Sequence, residues 1–362
     1  MNSMTLAASR WNWFTNVVSS RIEKPYSLLF YVIESAEWVI RRIGIDVTTN
    51  LNNQKLLKAR STTIYKDIHN QIIHFGSVNT FLTSEGFRIP NKSNKVVLTW
   101  FHVMPDDPRI RFVKEAQKYV DVVHTASTIT KEKLIEIGIP EEKIVVIPLG
   151  VDLNLFKPVS PEEKQKIREK LGIPKTKLVV GSFQKDGVGW EEGLKLKWVK
   201  GPDIFVEVIH KLRMDYDIVV LLTGPARGYI KRELDRIGVP YKHFFLKNYL
   251  EIPKYYNALD LYLVASRVEG GPKAILEAMA TGVPLVSTKV GIAGDIIREG
   301  YNGLLADVED VETLSDKASK IIEGKKLANR LIDNASNTIR NYSWENIAKE
   351  YYEKIYKRFL NR

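Results

Sequence analysis

Short runs rich in valine, isoleucine and leucine recur along the chain, and amphipathic stretches with helical spacing separate them. Such runs are typical of strands buried on both faces, as in a parallel sheet covered by helices. Their alternation with helices predicts βαβ units, and hence an α/β fold built on parallel sheets. The predicted strands span residues 71–77, 95–102, 121–127, 143–150, 177–183, 217–224, 260–266 and 282–288. The clearest helical patterns span residues 130–137, 161–171, 202–212, 272–281 and 344–360.

The length of 362 residues exceeds what one hydrophobic core usually serves, so we expect two domains. The boundary falls near Lys157, where a strand has ended and Ser160 and Pro161 start a polar helix. Ligands bind beyond the carboxyl ends of the strands in doubly wound sheets, so two such edges should face each other across a cleft. The predicted parts are a Rossmann-like domain over 1–156, a second over 157–340, and a helix over 341–362 that packs back toward the first.

The chain contains no cysteine, which excludes disulfides and thiolate metal sites and favours a cytoplasmic location. No apolar stretch approaches the ~20 residues that a membrane-spanning helix needs. Arg10, Asn12 and Asn16 interrupt any signal-peptide core. The net charge of +11 fits a solvated surface, phosphate-bearing ligands or anionic lipid, or nucleic acid, in that order of preference. We expect no nucleic-acid partner.

The segment from Ser266 to Gly282 carries the most specific chemical signal in the chain. Gly270 and Gly271 lack side chains, so a ligand can approach the backbone, and Pro272 suits the first turn of the helix that follows. Free N–H groups and the positive end of the helix dipole bind phosphate at such a position. A diphosphate can therefore be bound here without a metal ion in principle.

Two glutamates flank this phosphate-binding pattern. Glu277 lies about 8 Å along the helix at ~1.5 Å per residue, which is roughly the reach from a diphosphate to a ribose. A carboxylate accepts two hydroxyl hydrogen bonds, so Glu277 is suited to a vicinal diol. Glu269, on the loop before the helix, should lie on the other side of the phosphates, near a sugar. A solvated carboxylate is the alternative for a lone glutamate, but the glycines and the second carboxylate favour a binding site.

Glu269 and Glu277 match a Glu-x7-Glu signature, and on this motif the chain resembles the GT-B glycosyltransferases of family four, a large retaining family. The resemblance implies two Rossmann-like domains and a nucleotide-diphosphate sugar, UDP- or GDP-linked, as the donor. It implies no required cofactor or metal. Between about residue 143 and residue 362 the resemblance is strong, and further similar positions are 255–260, 282–284, 291 and 299–303.

The resemblance assigns roles to matching positions. Glu277 would bind the donor ribose, Glu269 would lie by the donor sugar, and the amides of Gly270 and Gly271 would contact the diphosphate and the sugar. Two cations usually assist the leaving diphosphate, one from an arginine after a strand and one from a lysine in a Lys-Gly pair.

Lys200, followed by Gly201, matches that lysine. Ser182 stands where the arginine is expected, so we assign the second phosphate role to Lys185, with a solvated loop lysine as the alternative. The predicted donor site comprises Ser182, Lys185, Lys200, Gly270, Gly271, Pro272, Lys273 and Glu277.

Candidate residues for the reacting sugar also lie in the first half of the chain. The family often has a histidine where His102 ends a predicted strand, so His102 is expected to hydrogen-bond the transferred sugar. A buried structural histidine is the alternative, and His74 and His124 are weaker candidates. The family commonly has a glycine-rich loop after its first strand. In this chain no glycine lies between the apolar strand at 28–33 and Gly44, so that loop is missing. The acceptor, whether a glycan, a lipid-linked molecule or a small molecule, does not follow from the resemblance.

These assignments predict a retaining hexosyltransferase, with His102, Glu269 and Lys200 as catalytic residues and no metal site. Cations and helix amides would stabilise the leaving diphosphate. Retention would follow front-face attack, which the resemblance favours, or double displacement through a carboxylate. The alternative from another class is a non-catalytic sugar-nucleotide or glycan-binding module. A sugar-nucleotide epimerase is a minor alternative, and a nicotinamide-dependent oxidoreductase lacks the Gly-x-Gly-x-x-Gly motif after an early strand.

Aromatic, aliphatic and basic residues are interleaved through the first 42 residues. Such a surface can lie at a lipid interface, with aromatics at headgroup depth and cations attracted to anionic lipid. Packing of the same aromatics in the N-terminal core is the slightly favoured alternative. Peripheral association with an anionic membrane at the cytoplasmic face is therefore kept as a hypothesis. The residues concerned are Arg10, Trp11, Trp13, Phe14, Val17, Val18, Arg21, Lys24, Trp38, Val39, Ile40, Arg41 and Arg42.

Overall fold

The computed structural model describes residues 3–36, 39–104, 106–246 and 248–360, with side chains from residue 12 onward. The chain divides into two compact units. The first runs to Leu149 and resumes at Trp344, and the second is Gly150–Ser343. The division after Leu149 lies earlier along the chain than the predicted boundary near Lys157, and the helix at the end of the chain belongs to the first unit.

The first unit is built on a six-stranded parallel sheet in the order β2-β1-β3-β4-β5-β6. Its strands are β1 (Leu28–Val32), β2 (Lys58–Thr62), β3 (Ile72–Phe75), β4 (Lys95–Thr99), β5 (Val122–Thr125) and β6 (Ile144–Val146). The helices among them are α1 (Ser3–Ile22), α2 (Val39–Asn53), α3 (Val78–Phe81), α4 (Val113–Ala116) and α5 (Thr128–Glu136).

The second unit repeats this plan, with a parallel sheet in the order β12-β11-β10-β7-β8-β9. Its strands are β7 (Leu178–Ser182), β8 (Ile218–Thr223), β9 (Tyr241–Phe244), β10 (Leu261–Val264), β11 (Leu285–Thr288) and β12 (Leu304–Ala306). Its helices are α6 (Pro161–Lys170), α7 (Pro202–Leu212), α8 (Gly228–Arg236), α9 (Ile252–Tyr256), α10 (Lys273–Ala280), α11 (Ala293–Ile296), α12 (Val311–Glu323) and α13 (Lys325–Ile339).

The chain ends on a nearly continuous helix in the first unit. It comprises α14 (Trp344–Tyr351), a π-helical turn (Tyr352–Tyr356) and α15 (Lys357–Leu360). Short 3₁₀ helices are Pro108–Phe112, Gln117–Tyr119, Glu141–Lys143, Trp198–Lys200, Tyr249–Glu251 and Arg340–Tyr342.

The α/β class and the two doubly wound parallel sheets are confirmed, and each predicted strand contains an observed one. Central strands such as β1, β3 and β8 are buried at every residue, which is why their sequences are continuous apolar runs. The prediction missed β2, β9 and β12, which are all edge strands. β2 and β9 carry polar, partly exposed residues, and β12 is only three residues long, so none shows an apolar run of the expected length.

A buried polar cluster joins the C-terminal helix to the sheet of the first unit. The two ring nitrogens of His74, on β3, lie 2.6 Å from the Tyr356 hydroxyl and 2.7 Å from Thr99 Oγ1. His124, on β5, lies 2.9 Å from the same threonine oxygen and 2.9 Å from the carbonyl oxygen of Ile147. Both histidines are fully buried and hydrogen-bonded, so these two weaker sequence candidates occupy structural positions.

Burial lowers the pKa of both histidines, that of His124 to about 4 and that of His74 well below its usual 6.5, with a further contribution from His124. Both rings are therefore neutral in the folded state, whereas the unfolded chain binds their protons below pH 6.5. These groups should leave the free energy of unfolding unchanged above pH 6.5. Each should lower it by about 1.4 kcal/mol per pH unit as the pH falls below 6.5, and the contribution of His124 should continue down to about pH 4.

Chemical unfolding followed by tryptophan fluorescence measures how the free energy of unfolding changes with pH, and His124→Gln should reduce this slope by about 1.4 kcal/mol per pH unit between pH 6.5 and pH 4. The control is His210→Gln, because His210 is exposed on α7 in the other unit. A His124→Gln variant that keeps the parent slope would show that His124 does not stay neutral in the fold.

Candidate functional site

The candidate site in the second unit begins where β10 ends at Val264. A loop follows, Pro272 occupies the N-cap position, and α10 runs from Lys273 to Ala280. Pro272 supplies no capping side chain, so the cap residue does not satisfy the first N–H groups of α10. Gly270 is buried and Gly271 is partly buried directly before this helix end.

Lys200 and Glu269 form an ion pair at this loop. Lys200 Nζ donates to Glu269 Oε1 at 2.5 Å, although the two residues are 69 apart in sequence. The Ser266 hydroxyl donates to the same carboxylate oxygen at 2.9 Å. The Glu269 side chain is only 11% exposed, so this pair holds it in one position. The structure thus brings together two residues that the sequence assigned to catalysis.

Backbone contact makes that ion pair possible. The carbonyl oxygen of Val199 accepts from the amides of Arg267 and Val268 at 2.9 and 3.1 Å. Gly201 follows with φ +57°, and a Cβ there would lie 1.9 Å from the carbonyl oxygen of Ala265. Only glycine tolerates both the left-handed conformation and this approach.

A second glycine supports the loop from the other side. Gly291 has φ +50°, and a Cβ there would lie 2.8 Å from the carbonyl oxygen of Gly270 and 2.9 Å from that of Glu269. The loop that carries Glu269 is therefore held between two backbone segments. The Gly291 loop belonged to the resemblance, but its contact with Glu269 could not be inferred from sequence.

Glu277, inside α10, is 4% exposed and accepts hydrogen bonds from two tyrosines. The Tyr256 hydroxyl donates to Oε2 at 2.9 Å, and the Tyr249 hydroxyl donates to Oε1. Lys273 Nζ donates to the Tyr249 oxygen at 2.7 Å and lies 3.7 Å from Glu277 Oε1. Burial, together with the charge of Glu277, raises the pKa of Tyr256 well above 10, so its hydroxyl remains a donor.

Sequence reasoning missed the hydrogen bonds that these tyrosines make. Tyr249 and Tyr256 precede Glu277 by 28 and 21 residues, on other elements of the unit. Tyr256 lay within the segment of family resemblance, but nothing in its spacing indicated a carboxylate partner.

Ser182, at the end of β7, is buried against an arginine from the neighbouring strand. Arg227, which follows β8, donates to the Ser182 carbonyl oxygen at 2.9 Å and to its hydroxyl at 3.3 Å. The guanidinium lies 3.1 Å from Asp186, and both side chains are fully buried. Burial raises the pKa of Asp186, which the charge of Arg227 opposes. The sequence predicted a cation after β7, whereas Arg227 follows β8, the neighbouring strand in the sheet.

Lys185 lies on a small hairpin that follows β7. Gly187 and Leu196 form an antiparallel bridge there, and Lys185 Nζ lies 3.6 Å from the centre of the Trp190 ring. Burial lowers the pKa of Lys197, and the charges of Lys200 and Lys185 lower it further. The hairpin thus places Lys197 close enough to Lys185, Lys200 and Glu269 for their charges to act on it.

His102 lies in the first unit, on the loop after β4. Its side chain is exposed, and its carbonyl oxygen accepts from the Trp100 indole N–H at 3.0 Å. Within the described ranges, no three histidine, aspartate or glutamate residues are grouped so that they could hold a metal ion.

Both halves of the chain match sequence families of glycosyltransferases. Residues 26–155 match the family described as Glycosyltransferase Family 4. Residues 192–338 match the family described as Glycosyl transferases group 1. The second match contains Lys200, Glu269 and Glu277.

Curated relatives align with part of the chain. The lipopolysaccharide core biosynthesis mannosyltransferase LpsB of Rhizobium meliloti is 30% identical over 215 residues, which are 56% of this chain and 58% of that protein. A D-inositol 3-phosphate glycosyltransferase of Corynebacterium urealyticum is 29% identical over 223 residues, which are 58% of this chain and 50% of that protein. The aligned region thus spans only 50% to 58% of the length of these relatives.

Solved structures share the fold over nearly the whole chain. HepE from Anabaena, crystallised with UDP and glucose, superposes with a TM-score of 0.72 at 18% identity, over 91% of this chain and 99% of that one. A glycosyltransferase from Rickettsia africae superposes with a TM-score of 0.70 at 19% identity, over 94% of this chain and 100% of that one. At such low identity the likeness establishes the fold, which is GT-B.

The contact at Gly201 can be tested with a matched pair of glycines in the second unit. Gly201 and Gly238 both adopt left-handed backbone, with φ +57° and +66°, but a Cβ at Gly238 would meet no atom within 4 Å. Gly238→Ala should therefore cost only the conformational strain of about 1–2 kcal/mol. Gly201→Ala should cost roughly 1–3 kcal/mol more, because the methyl group clashes with backbone. Chemical unfolding measures both, and equal losses would show that the approach to Ala265 is not tight.

Proposed function

We propose that this chain, which belongs to the group 1 glycosyltransferase family, transfers a hexose from a nucleotide-diphosphate sugar to an acceptor with retention of configuration. The observation that carries the proposal is the Lys200–Glu269 ion pair on the loop before α10, together with the buried carboxylate of Glu277 in that helix. Glu277 binds the donor ribose, Glu269 faces the transferred sugar, and Lys200 lies beside the leaving diphosphate.

The donor is bound through the negative charge of its diphosphate and through the two hydroxyl groups of its ribose. The amides of Gly270 and Gly271 and the N-terminus of α10 contact the diphosphate, which is negatively charged. Lys200, with Lys185 from the neighbouring hairpin, stabilises the charge that develops as the sugar leaves, so no metal ion is required. The UDP-bound structure of HepE, which has the same fold, supports a UDP-linked donor, and a GDP-linked donor is the alternative.

Front-face attack accounts best for retention. Glu269 shares its carboxylate with Lys200 and Ser266, and this pairing makes it a poor nucleophile for double displacement. The leaving phosphate then takes the proton of the acceptor hydroxyl. His102, exposed on the first unit, hydrogen-bonds the transferred sugar. The acceptor is a glycan, a lipid-linked molecule or a small molecule, a range that the names of the relatives LpsB and D-inositol 3-phosphate glycosyltransferase support.

Calorimetric titration with UDP and GDP tests the donor site. Glu277→Gln removes the charge that accepts the ribose hydroxyls, so it should weaken nucleotide binding by about 1.5–3 kcal/mol. The control is Glu207→Gln, because Glu207 is exposed on α7 of the same unit. Equal affinities in both variants would remove Glu277 from the site.

Turnover separates a transferase from a binding module. Release of nucleotide from UDP-glucose or GDP-mannose, with and without added acceptors and with a metal chelator present, should occur in the parent protein and fall strongly in Lys200→Ala. Nucleotide binding without any release would favour the non-catalytic alternative.

We also propose a cytoplasmic enzyme that associates peripherally with anionic membrane through its N-terminal region. Trp13 and Phe14 are 40% and 54% exposed on α1, which supports a surface role for part of the aromatic set. Arg41 donates to the carbonyl oxygens of Glu34 and Ser35 at 3.3 and 3.2 Å. The side chains of Arg10, Trp11 and Trp38 lie outside the described residues. Among the helices described, none is long and apolar enough to span a bilayer.

Sedimentation with vesicles at low and high salt tests this association. Binding to anionic but not neutral vesicles should be lost at high salt and in Arg41→Gln/Arg42→Gln, because each cation contributes about 1 kcal/mol at an anionic surface. Lys325→Gln/Lys326→Gln is the control, since these lysines are exposed at the start of α13 in the other unit. Absence of binding under every condition would favour a water-soluble acceptor.

A further inference from the structure

The Glu277 carboxylate accepts hydrogen bonds from two tyrosine hydroxyls, and the two tyrosines differ in how deeply they are buried. Tyr256, on α9, is fully buried, and its ring packs against Phe183 and Tyr262 with centroids 4.7 and 5.4 Å apart. Tyr249 lies on the 3₁₀ helix Tyr249–Glu251 and is only partly buried. Its ring contacts the buried Phe156, with centroids 5.9 Å apart, whereas Tyr256 contacts three buried rings. Tyr249 can therefore leave the carboxylate with less repacking of the core than Tyr256.

Lys273 fixes the direction of the hydrogen bond that Tyr249 makes. Its ammonium group only donates, and it donates to the Tyr249 oxygen at 2.7 Å. The Tyr249 hydroxyl must then use its own hydrogen for Glu277 Oε1. Tyr249 thus presents to Oε1 an oxygen-bound hydrogen with the same polarity as a sugar hydroxyl.

We propose that the Tyr249 hydroxyl competes with the ribose hydroxyls of the nucleotide for Glu277 Oε1, and so sets the affinity of the donor site. This inference rests on the proposed role of Glu277 as the ribose ligand. A vicinal diol needs two acceptor positions on the carboxylate. Each carboxylate oxygen has two lone pairs, but Glu277 is only 4% exposed and its Oε1 already accepts from Tyr249 with Lys273 3.7 Å away, so little of this oxygen is left for a second donor. Nucleotide binding therefore exchanges one hydroxyl donor for another, which lowers the net gain from each ribose hydrogen bond.

Tyr249→Phe removes the competing hydroxyl and keeps the ring. Lys273 Nζ lies 4.5 Å from the centre of that ring, a contact that phenylalanine preserves. We expect Tyr249→Phe to bind UDP about tenfold more tightly than the parent. The parent must give up the hydrogen bond between Tyr249 and the charged carboxylate when the nucleotide binds, and the variant does not. Tyr256→Phe is the matched control, because it removes a donor that orients the same carboxylate from the buried side, and it should bind UDP no more tightly than the parent.

A cycle that combines protein and ligand changes gives the decisive measurement. Calorimetric titration with UDP and with 2′-deoxy-UDP should show that Tyr249→Phe raises the affinity for UDP more than the affinity for 2′-deoxy-UDP. The gain should vanish in a Glu277→Gln background, because the contested oxygen is then no longer a carboxylate. If Glu277→Gln weakens UDP binding but Tyr249→Phe does not tighten it, this inference is overturned and the proposed function stands. If neither UDP nor GDP binds the parent or Tyr249→Phe, both are overturned.

Discussion

The candidate site depends on the backbone contact between residues 199–201 and residues 265–268. It places the ammonium group of Lys200 beside Glu269, and the absence of a side chain at Gly201 allows it. Arg267 strengthens it, because its guanidinium lies 2.6 Å from Asp203 in the first turn of α7. The end of β10 and the start of α7 are thus joined by main chain and by charge, and the position of the Glu269 carboxylate is set by both.

Charged groups around this contact are paired with one another. Lys200 pairs with Glu269, Arg227 with Asp186, and Lys273 lies near Glu277 through Tyr249. Each of these side chains is mostly or fully buried, and a buried charge without a partner is costly. A charged ligand must therefore exchange partners with these groups to bind. Preorganised pairs of this kind suit a reaction in which charge develops on a leaving phosphate.

The two units use the same sheet plan for different purposes. In the first unit the polar side chains of His74, Thr99 and His124 face inward and are closed by tyrosines of the C-terminal helix, so they contribute to stability. In the second unit the comparable polar groups, such as Asp186, Lys200, Arg227 and Glu269, lie on the loops and turns after β7, β8 and β10, and Glu277 lies in the helix after β10. Strand topology alone does not distinguish these arrangements, because both follow from a parallel sheet with helices on its faces.

From the sequence alone, the α/β class and the central strands could be predicted, and Lys200, Glu269 and Glu277 could be proposed as site residues. Those features depend on short stretches of sequence. The strands appear as apolar runs, and the site residues appear at fixed spacing around a glycine-rich helix start. The edge strands β2 and β9 were not predicted because they carry polar, partly exposed residues, and β12 was not predicted because it is only three residues long. Only the tertiary structure decided that Tyr249 and Tyr256 hold Glu277 and that Arg227 reaches Ser182. The reason is physical. In a parallel sheet the neighbours of a side chain come from adjacent strands, and the helices between those strands set how far apart they are along the chain. These separations vary, so they produce no periodic pattern in the sequence.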